Sequence, residues 1–205
     1  MFTIKRKDME NATKQPDAKT KFASTDSTIY DSFKLSIWNM IDTLKDLSVY
    51  DMAQWINHID RWIKNKNMEN TKKYGRGCIV FVDLGAQNFR YEPSYTHPAV
   101  IIAENKNMVL IVPCSSKRYG KRNSGIIDAT STDGFSSNTG VQVDSFRWVH
   151  KNRIISEVGR AKGSVLDKID SYILSITPSY KKEKSELNAE IERLKKQIAD
   201  LTKTE

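Results

Sequence analysis

Apolar residues recur at helical spacing in two neighbouring segments that follow a polar start. Residues 28–47 carry apolar side chains three or four positions apart, and residues 48–63 repeat this pattern, which is typical of amphipathic helices. We therefore predict a helical hairpin over residues 25–73. Residues 1–24 are lysine-rich and show no periodicity, so they are predicted to be a disordered basic tail.

From residue 74 the apolar residues come instead in short runs separated by turn signals. The runs predict strands at residues 78–82, 99–103, 108–112, 140–144 and 146–149. Several short strands with turns between them favour a small barrel or sandwich. Val165, Ile169 and Ile173 then predict a closing helix that ends before Pro178, which gives a domain over residues 74–177.

The last segment, residues 178–205, carries apolar residues on alternating four- and three-residue steps. They are Leu187, Ile191, Leu194, Ile198 and Leu201. This is a short heptad pattern with lysine and glutamate at the other positions, typical of a coiled-coil-like helix. The helix either pairs with itself in a dimer or packs on the N-terminal hairpin.

The charge balance changes the picture of partners. The chain of 205 residues has 33 lysines and arginines against 25 acidic residues, a net charge of +8. Such an excess favours nucleic acid as a partner, although a basic protein without an acidic partner shows the same balance. The start has no signal-peptide core, and no window is apolar enough to span a membrane, so we expect a cytoplasmic protein.

Candidate chemistry lies in two polar loops, at residues 83–98 and 117–125. Both loops combine basic side chains with tyrosines, which suits single-stranded RNA, because phosphates attract cations and unpaired bases stack on aromatic rings. Two ordinary polar loops are the other interpretation. Neither the histidines nor Cys78 and Cys114 have partners at metal-ligand spacing, so no metal or cofactor is predicted. His58 is interpreted as a packing residue.

Several segments, in order along the chain, resemble the MazF/PemK toxin family. They are residues 74–85 with an Arg-Gly pair and a final Asp-Leu, 96–102 around a strand proline, 109–116 ending in two serines, 144–154, and 159–176. The resemblance covers about half of the chain. It implies an α+β fold with a small SH3-like β-barrel, to which this chain adds the N-terminal helical hairpin and the C-terminal heptad helix.

The resemblance also implies an activity. Members of this toxin–antitoxin family are homodimeric endoribonucleases that cleave single-stranded RNA, often mRNA, without metal, and an antitoxin protein holds them inactive. Attack of a ribose 2′-hydroxyl on the adjacent phosphate leaves a cyclic phosphate and a 5′-hydroxyl.

The family's active site pairs an arginine before the second-strand proline with a hydroxyl at the end of the third strand. By this resemblance the catalytic pair is His97 and Ser115. Histidine titrates near neutral pH and can act as a general acid or base, whereas arginine is a permanent cation. The replacement either preserves cleavage by altered chemistry or marks a protein that only binds.

Seven basic residues are candidate RNA contacts. They are Arg76, Arg90, Lys117, Arg118, Lys121, Arg122 and Arg147. Arg90 and Arg118 are also candidates for the missing cation, and Arg76 and Arg147 fit a structural role equally well. We predict an endoribonuclease, with a catalytically degenerate RNA- or protein-binding barrel as the alternative and a structural adaptor as a third possibility.

Overall fold

The computed structural model describes residues 4–201, with side chains up to residue 199. The chain divides into two compact units, Met1–Ala53 and Gln54–Glu205.

The first unit contains helices α1 (Arg6–Thr13) and α2 (Ser27–Leu44). The Asp26 carboxylate accepts a hydrogen bond from the Ile29 N–H at 3.2 Å and caps α2, as expected for an N-cap aspartate. Helix α1 lies inside the segment predicted to be a disordered tail and differs from that prediction. Its sequence consists mostly of good helix formers, and it buries no side chain.

Helix α3 (Val49–Asn65) begins in the first unit and continues into the second. Its start is the predicted one, because the Asp51 N–H donates to the Ser48 hydroxyl at 3.0 Å. The two N-terminal helices that the sequence predicts, α2 and α3, are therefore both present.

The second unit holds the sheet and the C-terminal helices. The strands are β1 (Cys78–Asp83), β2 (Thr96–Asn105), β3 (Met108–Ser115), β4 (Ile126–Ala129), β5 (Thr139–Gln142), β6 (Arg147–His150) and β7 (Ile154–Arg160), followed by α4 (Gly163–Ser175) and α5 (Pro178–Leu201). All strand pairs are antiparallel, in the order β4-β5-β3-β2-β1-β7, with β6 on β3.

The predicted α+β fold is confirmed; hydrogen bonds do not close the sheet into a barrel, since no ladder joins β4 to β7 among the described residues. A loop contact bridges these two edges instead: the Lys162 N–H donates to the Asp133 carbonyl at 2.9 Å. Next to it, Gly134 (φ +94°) lies so close to the Arg160 carbonyl that a side chain would collide with it. The hydrogen-bond ladder of the described sheet therefore stays open.

Two strands escaped the sequence analysis. Strand β4 has only four residues, and β7 is mostly exposed along its length. Neither shows the clear alternation or continuous apolar run that marks a buried strand.

The core lies on both faces of the central strands. Along β2, Val100 and Ile102 belong to one buried cluster and Ala99 and Ile101 to the other, because successive side chains of a strand point to opposite faces. Helix α4 covers the first cluster with Val165 and Ile169. This arrangement explains why the strand reads as an unbroken apolar run.

Helix α5 presents its heptad residues to solvent. Leu187, Ile191, Leu194 and Ile198 are 45–62% exposed, and the side chain of the fifth position, Leu201, lies outside the described residues. None of the described helices is both long and apolar enough to cross a membrane.

Candidate active site

His97 lies at the start of β2, opposite Val82 of β1. Its ring Nδ1 lies 3.2 Å from the carbonyl oxygen of Cys114. A carbonyl only accepts, so Nδ1 carries the proton and donates it. In the neutral ring the basic nitrogen is therefore Nε2.

Ser115 ends the neighbouring strand β3. The β2–β3 ladder pairs Ala99 with Pro113, and the same antiparallel alignment continued by two residues sets His97 opposite Ser115. The bond from His97 to the Cys114 carbonyl agrees with this placement. The two residues of the predicted catalytic pair thus come together at one end of the sheet, and both are half-buried.

The environment of His97 favours its neutral form. Burial lowers the pKa of His97, the carbonyls of Cys114 and Ser94 act in the opposite direction, and the positive charge of Lys117 lowers it further. The net effect is a pKa below the ordinary value, so the ring is a free base at neutral pH. It does not supply the permanent positive charge of an arginine.

The Cys114 thiol beside this site is not a nucleophile. Burial raises the pKa of Cys114 to about 12, and only the thiolate form of cysteine is reactive. Both cysteines are free and buried.

Lys117 and Arg118 follow Ser115 in a single 3₁₀ turn, Ser116–Arg118. This turn packs on β5 at Gly140, where an added Cβ would approach the Arg118 backbone carbon to 2.6 Å. Position 140 therefore requires a glycine for the turn to pack against β5. With the turn in this position, the positive charge of Lys117 acts on the His97 ring and lowers its pKa.

Two further predicted RNA contacts lie in the loop that continues from this turn. The Lys121 N–H donates to the Arg118 carbonyl at 3.2 Å, and the Gly120 N–H donates to the Asp128 carboxylate at 2.9 Å. The side chains of Lys121 and Arg122 are exposed. Four of the seven basic residues therefore lie in the turn and the loop that directly follow Ser115, namely Lys117, Arg118, Lys121 and Arg122.

Arg90 lies at the tip of the loop between β1 and β2. It has a φ of +45° and stands between Phe89 and Tyr91, which are 80% and 85% exposed. The loop ends are joined by the hydrogen bond from the Leu84 N–H to the Tyr95 carbonyl, 2.8 Å long. The tip therefore presents a cation and two aromatic rings to solvent.

Arg76 and Arg147 do not join this group. Arg76 donates to the Asp170 carboxylate at 2.7 Å and to the Ile102 carbonyl at 3.3 Å, which fits the structural interpretation. Arg147 of β6 pairs with Ile111 of β3. Ile111 lies four positions before Ser115 along β3, which is a distance of about 13 Å.

A second polar cluster, which the sequence analysis missed, surrounds the buried Asp83 at the end of β1. His58 Nδ1 lies 3.0 Å from one carboxylate oxygen, and Arg61 Nε lies 2.8 Å from the other. Arg61 also donates to the Thr96 hydroxyl at 3.1 Å, and Arg153 donates to the Asp83 carbonyl at 3.2 Å. His58 is therefore a hydrogen-bond partner of a buried carboxylate and not simply the packing residue that the sequence suggested.

Burial by itself raises the pKa of Asp83, but its partners outweigh that effect. Hydrogen bonds from Arg61 and from the Gly85 N–H, with the charges of His58 and Arg61, hold the pKa of Asp83 below its usual range. The one available signal in the sequence was an aspartate that ends a buried apolar run, since a buried carboxylate needs partners.

No group of three or more His, Cys, Asp or Glu side chains suited to a metal ion occurs within residues 4–201.

Solved structures similar to this chain include MazF toxins, at low sequence identity. MazF (Form-I) from Deinococcus radiodurans is 16% identical with a TM-score of 0.44, covering 51% of this chain and 96% of that one. The Mycobacterium tuberculosis toxin MazF-mt6 is 13% identical with a TM-score of 0.38, covering 47% and 91%. An endoribonuclease in complex with its cognate antitoxin, from a Mycobacterial species, is 17% identical with a TM-score of 0.36, covering 49% and 88%.

A comparison with curated protein sequences gave no match. The family model of the PemK-like, MazF-like toxins of type II toxin–antitoxin systems matches residues 75–177, which is half of the chain and spans all seven strands and α4. The chain belongs to this family of toxins.

Proposed function

We propose that the protein is an endoribonuclease that cleaves single-stranded RNA at the His97–Ser115 site. The observation that carries the proposal is the His97 ring, held in one tautomer by the Cys114 carbonyl at 3.2 Å next to the hydroxyl residue that ends β3. Membership of the toxin family supports the same assignment.

In the proposed reaction the neutral His97 ring accepts the proton of a ribose 2′-hydroxyl at Nε2. The 2′-oxygen attacks the adjacent phosphorus, the bond from phosphorus to the 5′-oxygen breaks, and that oxygen leaves with a proton taken from the protonated ring or from water. The products are a cyclic phosphate and a 5′-hydroxyl. General base catalysis of this kind contributes about 10²–10⁴-fold to a rate.

Ser115 and the basic residues after it have supporting roles in this proposal. The Ser115 hydroxyl donates to a non-bridging phosphate oxygen, and Lys117 and Arg118 balance the negative charge that grows during attack. Lys121 and Arg122 hold phosphates further along the strand. Phe89 and Tyr91, with Arg90 between them, offer rings for unpaired bases.

A binding module without catalysis is the second candidate, and one observation favours it. His97 stands where the family has an arginine, and its lowered pKa leaves no permanent cation at that position. Under this alternative the protein holds RNA through the same basic residues but does not cut it.

The partners that we propose rest on the family to which the chain belongs. One similar structure is an endoribonuclease with its cognate antitoxin, and another is the MazE–MazF complex from Deinococcus radiodurans. For this chain we propose an antitoxin partner and a homodimer, with the exposed heptad face of α5 adding to the dimer contact.

The test of the function is cleavage of a long single-stranded RNA in EDTA, with mapping of the 5′ ends. We expect discrete cuts, about 100-fold slower in Ser115→Ala and His97→Ala and unchanged in the matched control Ser116→Ala. The absence of cuts from folded protein freed of any copurified inhibitor, with RNA binding intact, would favour the binding module.

A further inference from the structure

A cavity of about 230 Å³ lies beside the Asp83 cluster, within the second unit. Helix α3 forms one wall, and the ends of β1 and β6 with the turn Lys151–Arg153 form the other. Helix α3 precedes the segment that the family model matches, so the cavity is a feature that this chain adds to its family domain. We call it the α3 pocket.

Positive charge dominates the lining of the α3 pocket. Arg61, Lys66 and Arg153 contribute three permanent cations, against the single carboxylate of Asp83. Both oxygens of that carboxylate already bond to His58 and Arg61. A guanidinium carries five N–H donors, and the described hydrogen bonds account for two on Arg61 and one on Arg153.

In their neutral forms the two histidines of the pocket adopt opposite tautomers. His58 directs Nδ1 to the ionised Asp83 at 3.0 Å, so Nδ1 donates, and in the neutral ring Nε2 is left as an acceptor. His150 Nδ1 accepts the Asn152 N–H at 3.2 Å, so in the neutral ring Nε2 carries the proton and is a donor. The pocket thus offers a hydrogen-bond acceptor and a donor besides its cations, which suits hydroxyl and phosphate oxygens.

An indole ring and an unused acceptor complete the lining. Trp62 lies on the wall with 53% of its surface exposed, and Lys66 Nζ stands 5.2 Å from its ring centroid. Nucleobases stack on exposed aromatic rings. The side-chain oxygen of Asn152 is buried and receives no hydrogen bond from any residue within 4–201.

We propose that the α3 pocket binds one nucleotide, with its base against Trp62 and its phosphate on Arg61, Lys66 and Arg153. Arg61 donates to Thr96, the residue directly before His97 in β2, so the pocket lies at the same end of the strand as the proposed cleavage site, although successive side chains of a strand point to opposite faces. We assign the nucleotide to the RNA strand that the proposed site cleaves. This last step rests on the proposed function, whereas binding of a nucleotide does not.

The test measures binding of a fluorescent oligoribonucleotide by anisotropy in a Ser115→Ala background, so that cleavage does not disturb it. Two variants, Trp62→Ala and Lys66→Gln, alter exposed side chains that no described hydrogen bond ties to the fold. Their matched controls are Trp38→Ala, an exposed tryptophan of α2, and Lys64→Gln, a lysine of α3 that pairs with Asp60 and does not line the pocket.

We expect Trp62→Ala to weaken RNA binding about 10-fold, as for loss of one stacked base. Lys66→Gln is expected to weaken binding about 3- to 10-fold and to reduce the salt dependence by about one phosphate contact. Both controls should stay within about twofold of the parent. Pocket variants that stay within twofold as well, or a Lys64→Gln loss equal to that of Lys66→Gln, would overturn the proposal.

Titration with adenosine monophosphate distinguishes a free nucleotide from a nucleotide of an RNA strand as the ligand of the α3 pocket. Binding that Trp62→Ala removes would show that a free nucleotide suffices, and no binding, with weakened RNA binding in the variants, would show that the strand is required. Either result supports a nucleotide site. All of these binding measurements use the Ser115→Ala background. A wild-type protein that fails to cut RNA would therefore refute the proposed function without affecting the binding test.

Discussion

His97 and His58 are both half-buried histidines in the second unit, yet their surroundings give them different tasks. His97 donates to a neutral carbonyl and lies near a lysine, and burial lowers its pKa. His58 bonds to the ionised carboxylate of Asp83, which Arg61 also contacts. The first ring is a free base at the end of a strand, and the second is part of an ion-pair network that attaches helix α3 to the sheet.

The hydrogen-bond partner of the ring, and not the residue type, decides whether a histidine contributes to proton transfer or to stability. A carbonyl fixes the tautomer without adding charge, so the ring remains available for proton transfer. A buried carboxylate with two basic partners is chiefly a structural element, because removing any one partner leaves a charge uncompensated.

The largest expected effect concerns the chemical role of His97. His97→Arg restores the residue type of the family, but an arginine has no lone pair with which to accept a proton. We expect cleavage to fall by about 100-fold or more, with RNA affinity retained, as measured by single-turnover cleavage and filter binding. An active arginine variant would show instead that this position needs a cation and not a base.

Asp83→Asn tests the structural role of the other cluster. We expect a loss of about 3–5 kcal/mol in the free energy of unfolding, measured by urea denaturation, because the half-buried Arg61 and His58 lose the buried carboxylate that they contact. The matched control Asp60→Asn removes an exposed carboxylate that pairs with Lys64 on the same helix and should cost about 0.5 kcal/mol or less. Equal losses would contradict the structural assignment.

The same variant carries a pH signature. The folded pKa of Asp83 is lowered, so its contribution to stability is complete above the unfolded value of about 3.9 and is lost as the pH falls through the folded value. Asp83→Asn should therefore flatten the acid side of the stability profile. If Asp83→Asn loses stability at acid pH in the same way as the parent protein, other carboxylates are responsible for that loss.

Gly140→Ala tests how the Ser116–Arg118 turn is seated next to His97. A methyl group there would collide with the Arg118 backbone, so we expect a loss of about 1–3 kcal/mol in unfolding free energy and slower cleavage. Gly163→Ala is the control, since an added Cβ meets nothing within 4 Å there. Cleavage that is fully retained in Gly140→Ala would separate the turn from the site.

The smallest expected effect is a shift in the pH profile of cleavage. His97 must be neutral to act as a base, so kcat/KM should rise with pH through its folded pKa, which lies below the ordinary 6.5. Lys117→Gln removes a charge that lowers this pKa and should move the acid limb upward by a fraction of a unit. Lys121→Gln, one turn further along the loop, should lower affinity without moving the limb.

Much of the family domain was predictable from sequence because its elements have local signatures. The continuous apolar run of β2 predicted a strand, and the spacing of Val165 and Ile169 predicted α4. The pair His97 and Ser115 came from resemblance to the family, and the structure places the two at one end of the sheet. Whether they cleave RNA remains the prediction to test.

Other features had no local signature. The edge strands β4 and β7 lack strong patterning, and the open ladder depends on how two distant edges meet at Gly134. Arg76 was open to two interpretations until its contact with Asp170 of α4 favoured the structural one.

The sequence by itself determined helices α2 to α5, five of the seven strands and the resemblance to the family, because these depend on residues that are near each other in the chain. Only the tertiary structure decided that His58 and Arg61 meet Asp83 and that an α3 pocket exists. These contacts join residues about twenty or more positions apart, and they depend on the orientation of α3 on the sheet, which no local pattern of apolar and polar residues specifies.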